Sequence, residues 1–201
     1  FIGGFSGTGK TTLATSLLEQ VEKVGGAHVI GKFDLHSRNE PYYCISAACR
    51  EICGRILFEE EEKVAAIRNE LRTEFGDKLQ LLISFVPDLE EIVGCQQIIL
   101  EKPEKRLDML NQQLNHAVRQ FMRIVCSHFQ PFVLVLDDLQ WADVASLEVI
   151  ELLATDIENP GFKAIGCYRS NEVDEAHVVA KIRRDLRDKS KRSGDLTLTE
   201  M

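Results

Sequence analysis

The 201-residue sequence contains no apolar run near the roughly 18 residues that a membrane-spanning helix needs, and no apolar segment of the secretory type. It also lacks internal repeats, low-complexity linkers, and a collagen-like or disordered composition. These missing features exclude fibrous, repeat and disordered classes of protein. We therefore expect a soluble, cytoplasmic, globular protein without a membrane partner.

The cysteines include no C-x-x-C pair, so the common zinc and redox motifs are missing. Cys49 and Cys53 lie four residues apart, on one face of a helix, but no nearby His completes a zinc site. We expect buried thiols of a reducing compartment at all six positions: Cys44, Cys49, Cys53, Cys95, Cys126 and Cys167.

The sequence also lacks an excess of positive charge: its net charge is −8 at pH 7. This balance argues against a surface made for DNA or anionic membrane, so we expect no nucleic-acid partner through this domain. Residues 181–192 carry seven basic side chains, but Val178, Ile182 and Leu186 recur among them at helical spacing. We interpret this segment as an amphipathic helix with a solvated basic face; contact with a partner or with a nucleotide in trans is the alternative.

The stretch GFSGTGKT at residues 4–11 matches the phosphate-loop pattern G-x-x-x-x-G-K-[ST] at every fixed position. Its glycines let successive backbone N–H groups converge on phosphates at a helix N-terminus. Lys10 is expected to reach the β- and γ-phosphates, and the Thr11 hydroxyl to ligate Mg²⁺. The predicted nucleotide-binding residues are Gly4, Ser6, Gly7, Thr8, Gly9, Lys10, Thr11 and Thr12.

Strand-like and helix-like segments alternate along the chain. Hydrophobic periodicity predicts strands at residues 1–2, 28–34, 132–136, 162–169 and 195–200, and helices at 11–24, from Pro41 onward, 103–129, 143–157 and 178–188. Residues 59–100 show no convincing strand. We therefore predict an α/β fold in which helices flank an open parallel sheet of about five strands, with a helical insertion around residues 59–130.

A pair of acids follows the apolar strand PFVLVL, as Asp137 and Asp138. Ligands of open α/β sheets bind at the carboxyl ends of the strands. Asp137 is therefore the candidate to hold Mg²⁺, and Asp138 the candidate to orient or deprotonate an attacking water. Arg169 ends the next predicted strand, where it would stabilise or sense the γ-phosphate.

Three segments together resemble a known family: GFSGTGKTTL, VLVLDDLQWADVASLEVIELLA and GCYRSNEV. They are similar to the P-loop ATPase domain of AAA-like, STAND-type signalling proteins, in which such domains are fused to protein or histidine kinases, nucleotide cyclases or LuxR-type regulators. The resemblance implies a three-layer P-loop NTPase fold of the ASCE class spanning residues 1–201. It also implies that Lys10, Asp138 and Arg169 act in catalysis and that Thr11 and Asp137 hold the metal.

By this resemblance, the chain binds ATP or ADP with Mg²⁺ and uses slow hydrolysis to reset a regulatory switch. Its expected partners are other domains of a parent protein, with nucleotide-dependent self-association as a further expectation. The sequence departs from the family's pattern in two ways that bear on the rate of ATP hydrolysis. The second acid is Asp138 rather than the longer Glu of fast ATPases, and the helical lid that usually closes over the nucleotide is not found before Met201. We expect the chain to be a fragment that begins within its first strand.

Two other functions remain open on the residues alone. A small-molecule kinase uses the same phosphate loop, although paired acids 126 residues after the loop suit a hydrolase better. A non-catalytic scaffold would bind nucleotide only to stabilise its fold.

Overall fold

The computed structural model of the chain describes residues 1–35, 40–94, 107–189 and 196–197. Within these ranges, five β-strands alternate with eight α-helices. The strands are β1 (Ile2–Gly4), β2 (Ala27–Lys32), β3 (Phe132–Asp137), β4 (Phe162–Arg169) and β5 (Leu196–Thr197). The helices are α1 (Lys10–Lys23), α2 (Tyr43–Leu57), α3 (Glu61–Phe75), α4 (Leu79–Phe85), α5 (Leu89–Val93), α6 (Leu107–His128), α7 (Val144–Ala154) and α8 (Val178–Lys189).

The strands form one parallel sheet in the order β2-β3-β4-β1-β5. Strand β4 therefore lies between β1, which leads into the phosphate loop, and β3, which ends in the paired acids. The register sets Gly4 beside Arg169 and Lys32 beside Asp137. The predicted α/β fold with a parallel sheet of about five strands is confirmed.

Helices cover both faces of the sheet. Alternate side chains of a strand point to opposite faces, and those of β3 divide in this way. Val133 and Val135 pack with Ala14 and Leu18 of α1. Phe132, Leu134 and Leu136 belong to the larger apolar cluster, which includes residues of α2, α7 and α8. The three layers expected of the fold are therefore present.

The helical insertion expected around residues 59–130 is formed by α3 to α6, and no strand occurs in its described part, which excludes residues 95–106. Ile67 of α3 and Phe121 of α6 are fully buried in the same apolar cluster as β3. The insertion therefore shares one core with the sheet.

Two helix boundaries within the described residues differ from the predictions by two residues or more. Helix α2 begins at Tyr43 rather than at Pro41, because Tyr42 adopts a left-handed backbone (φ 65°) that no α-helix can include. Helix α7 ends at Ala154 rather than at residue 157, and Asp143 precedes it as the N-cap, accepting a hydrogen bond from the Ser146 N–H at 2.8 Å.

Several smaller predictions can be compared with the structure. The five described cysteines are free and buried, as expected; Cys95 lies outside the described residues. In the basic segment, α8 buries Val179, Ile182 and Leu186, whereas Lys191 and Arg192 are not described. None of the described helices is long and apolar enough to cross a membrane.

A buried ion-pair cluster ties the insertion to the sheet. Asp156, between α7 and β4, accepts hydrogen bonds of 2.7 to 3.0 Å from the guanidinium groups of Arg119 and Arg123 on α6. The Asp156 side chain is fully buried. The hydrogen bonds from Arg119 and then Arg123 hold the pKa of this carboxyl well below its ordinary value.

Removing this carboxylate charge is expected to destabilise the protein. Asp156→Asn leaves two arginines without their buried counter-ion, so the free energy of unfolding at pH 7 should fall by about 3 kcal/mol. Because the folded-state pKa is depressed, the wild-type contribution is present above about pH 4, the unfolded-state value, and declines as the pH falls below it. The difference between the two proteins should therefore shrink on acidification.

Urea unfolding at pH 7 and pH 3 measures both effects. Asp77→Asn, at an exposed position, is the matched control and should leave stability unchanged at pH 7. Equal stabilities of the Asp156 and Asp77 variants at pH 7 would contradict a structural role for the cluster.

Candidate functional site

The loop between β1 and α1 has the backbone geometry of an anion-binding turn. Gly7 (φ 83°) and Gly9 (φ 79°) occupy the left-handed region, and a Cβ at either position would meet no atom within 4 Å. Glycine is therefore required at both positions by the backbone conformation, and not by a lack of room for a side chain. Gly9 precedes α1 without a side-chain cap, so the first N–H groups of the helix remain available to a phosphate.

Lys10 lies across the inner side of this loop. Its ammonium group donates a hydrogen bond to the Phe5 carbonyl at 2.6 Å, and the Thr8 hydroxyl donates to the same oxygen at 2.9 Å. Lys10 is buried, whereas Ser6, Gly7, Gly9, Thr11 and Thr12 are exposed along the open side. The loop therefore presents exposed donors around a single enclosed cation, an arrangement that fits a polyphosphate.

The first turn of α1 meets the end of β3. The Thr11 hydroxyl donates a hydrogen bond to Asp137 Oδ2 at 2.9 Å, and Asp137 Oδ1 accepts from the Asp138 N–H at 3.0 Å. Mg²⁺ prefers oxygen ligands, and it is usually held by one or two protein groups together with waters and substrate phosphates. The Thr11 and Asp137 oxygens fit that role. No cluster of three or more His, Cys, Asp or Glu side chains placed for a metal occurs in the described parts of the chain.

Asp138 is held by three neighbouring side chains. Its Oδ1 accepts a hydrogen bond from Gln140 Nε2 at 2.8 Å and lies 3.3 Å from Arg169 Nε. Its Oδ2 lies 3.8 Å from the ammonium group of Lys32. Asp138 also has a left-handed backbone (φ 54°), which is uncommon for a residue other than glycine and often marks a functional position.

Arg169 has several partners besides Asp138. Its Nη1 donates to Glu172 Oε1 at 2.8 Å, and its guanidinium lies 4.7 Å from the centre of the Trp141 ring. The hydrogen bond to Glu172 raises the pKa of Arg169 above its ordinary value, so the side chain is a permanent cation. Trp141 packs against the main apolar cluster.

The sequence profile of the AAA ATPase domain family matches residues 1–164, most of the chain. The chain belongs to this family. The family-level resemblance drawn from the sequence is thereby confirmed, and with it the assignment to nucleotide-binding ATPases.

This AAA ATPase domain is also similar to hybrid signal transduction histidine kinase G of Dictyostelium discoideum. The two are 30% identical over 155 residues, which is 76% of this chain and 4% of that protein. The chain thus spans about 4% of the length of the curated relative.

The AAA ATPase domain brings all the sequence-predicted site residues to the carboxyl edge of β1, β3 and β4. Three of their neighbours were missed by reasoning from sequence. Gln140 lies within the LDDLQWAD block, so its proximity to Asp138 had a local signal, and Glu172 follows Arg169 by three residues. No local pattern in the sequence indicated that Lys32 would lie near the acids, because its place beside Asp137 depends on the pairing of β2 with β3.

Loss of the Lys10 charge is expected to abolish tight nucleotide binding by this AAA ATPase domain. A charge-assisted hydrogen bond contributes about 1.5 to 3 kcal/mol, so Lys10→Ala should weaken ATP affinity by at least about tenfold. Isothermal titration calorimetry with ATP and Mg²⁺ measures the effect. Lys23→Ala, at the exposed far end of α1, is the matched control and should bind as the wild type does. Equal affinities of the Lys10 variant and the wild type would contradict the site assignment.

Proposed function

We propose that this AAA ATPase domain binds Mg-ATP, hydrolyses it slowly, and acts as a regulatory nucleotide switch within a larger signalling protein. The main support is the convergence of four groups on one sheet edge: the Lys10 ammonium, the Thr11–Asp137 pair, the Asp138 carboxylate and the Arg169 guanidinium. Family membership supports nucleotide binding independently.

In the proposed binding mode, the N–H groups of the loop and α1 hold the phosphates. Lys10 would exchange the Phe5 carbonyl for a phosphate oxygen, a stronger acceptor because it is charged. Thr11 and Asp137 would hold Mg²⁺, which neutralises phosphate charge. The exposed side of the loop leaves room for the nucleotide along Ser6, Gly7 and Thr12.

Asp138 is the acidic residue that we assign to catalysis. Its carboxylate would orient the attacking water or act as the base that deprotonates it. Its carboxylate Oδ1 lies 3.3 Å from Arg169 Nε, at the edge of the sheet where the phosphates are expected. Aspartate is one methylene shorter than the glutamate of fast ATPases, so its carboxylate reaches less far toward the nucleotide. The shorter side chain supports slow rather than fast hydrolysis.

Arg169 is the proposed sensor of the γ-phosphate. It neighbours the first loop glycine in the sheet register, while its side chain is held by Asp138 and Glu172. A γ-phosphate would compete with these two carboxylates for the guanidinium, whereas ADP would not. Such an exchange of partners provides two states of the loop after β4, which is the minimum that a switch requires.

The larger context is also a proposal. The relative named above is a hybrid signal transduction histidine kinase, and this chain matches a small part of it. We propose that residues 1–201 form one P-loop NTPase domain of a cytoplasmic signalling protein. Its partners would be other domains of that protein, and a second copy of the domain in a nucleotide-dependent assembly.

Replacing the proposed catalytic acid should separate binding from hydrolysis. Asp138→Asn keeps the shape of the side chain but removes the base, so ATP affinity should stay within about threefold while hydrolysis falls by about 100-fold or more. Single-turnover release of phosphate from radiolabelled ATP measures hydrolysis, and calorimetry measures affinity. Asp77→Asn is the control and should retain the wild-type rate.

The same assay decides between the proposed function and its alternatives. ATP binding without phosphate release, even in the parent protein, would favour a scaffold. Transfer of the label to a small-molecule acceptor would favour a kinase. Hydrolysis by Asp138→Asn at the wild-type rate would contradict the role given to this residue.

A further inference from the structure

The side chain of Gln140 joins two parts of the proposed catalytic site. Its Nε2 donates to Asp138 Oδ1 at 2.8 Å, and its Oε1 accepts from the Arg169 backbone N–H at 3.1 Å. Gln140 lies in the short 3₁₀ turn Leu139–Trp141 that follows β3, and its side chain reaches back to Asp138 and across to the end of β4. One amide group therefore connects the proposed catalytic acid with the strand that carries the proposed sensor.

Both hydrogen bonds are required by burial. Gln140 is 3% exposed, and a buried amide without partners is costly. The partners also determine the orientation of the amide. A backbone N–H can only donate and an ionised carboxylate can only accept, so the oxygen must face Arg169 and the nitrogen must face Asp138. The flipped amide would lose both bonds.

We propose that Gln140 is a positioning residue for ATP hydrolysis, which holds the Asp138 carboxylate in its working orientation and links it to the end of β4. This role rests on the proposed function, because it presumes that Asp138 acts on water. Gln140 has no expected contact with the nucleotide and acts through Asp138.

The two oxygens of Asp138 have different surroundings, which explains what the positioning achieves. Oδ1 faces both Gln140 and Arg169, whereas Oδ2 has only the distant Lys32 among the contacts of the described residues. Oδ2 is thus the oxygen that can take a proton from water. When Arg169 leaves for a γ-phosphate, the bond from Gln140 still holds Oδ1.

The left-handed backbone of Asp138 places Gln140 against the Asp138 carboxylate. This conformation turns the chain directly after β3, and the Trp141 N–H closes the turn by donating to the Asp138 carbonyl at 3.0 Å. The turn brings the Gln140 side chain back onto the carboxylate two residues earlier. A shift of the Arg169 backbone would therefore move Gln140, and through it the orientation of Asp138.

Two substitutions distinguish positioning from a general structural role. Gln140→Met keeps the size of the side chain and removes both hydrogen bonds. Gln140→Glu keeps an acceptor for the Arg169 N–H but places a carboxylate against Asp138. Gln20→Met, at an exposed position on α1, is the control. The full chain is assayed for steady-state ATP hydrolysis and, separately, for ATP affinity by calorimetry.

Both Gln140 variants should lower kcat by about tenfold or more, while KM and the ATP dissociation constant stay within about twofold of the wild type. Gln20→Met should change neither. An unchanged kcat in Gln140→Glu, or a loss of ATP affinity as large as the loss in kcat, would overturn the proposal.

A second measurement keeps the proposal testable if the wild type binds ATP without hydrolysing it, a result that would refute the ATPase activity itself. Thermal unfolding midpoints are compared for Gln140→Met, Asp138→Ala and the double variant. If Gln140 holds Asp138, the two shifts are not additive, since both substitutions remove the same hydrogen bond. Additive shifts would overturn the positioning role whatever the hydrolysis rate.

Discussion

The hydrogen bond from the Thr11 hydroxyl to Asp137 connects two halves of the candidate site that lie 126 residues apart in sequence. It can form only because β1, β4 and β3 run parallel in adjacent register, so that their carboxyl ends meet at one edge. Parallel strands require long crossover connections. Helix α1 forms part of the connection from β1 to β2, and the helical insertion forms much of the connection from β2 to β3.

Charge balance explains the arrangement around the acids. Asp137 and Asp138 are adjacent carboxylates at a partly enclosed edge, where their mutual repulsion would be costly if no cations were near. Arg169 and Lys32 approach Asp138, while Thr11 bonds to Asp137. In the proposed switch, nucleotide binding changes this balance by offering Arg169 a different anion. Once Arg169 has turned to the γ-phosphate, Gln140 and Lys32 are the side chains among the described residues that still contact Asp138.

Much of this organisation could be predicted from the sequence. The phosphate loop, the acids after an apolar strand, and the arginine after the next strand are each encoded within a few consecutive residues. Their local patterns therefore identify them without knowledge of the fold. The helix start at Pro41 was misjudged by two residues, because it is set by the left-handed backbone of Tyr42, whose N–H donates to Asp143 Oδ1 from a distant part of the chain at 3.4 Å.

The sequence by itself determined the family and the α/β class, and it identified the candidate groups for binding phosphate and metal, because these follow from residue type and short spacing. Only the tertiary structure decided which groups surround them. Lys32 reaches Asp138 because β2 pairs with β3, Glu172 shares Arg169 with Asp138, and Gln140 spans from the acid to the β4 backbone. The contacts of Lys32 and Arg169 with Asp138, and of Gln140 with the β4 backbone, join elements distant in sequence, so they follow from strand order and packing rather than from any local pattern.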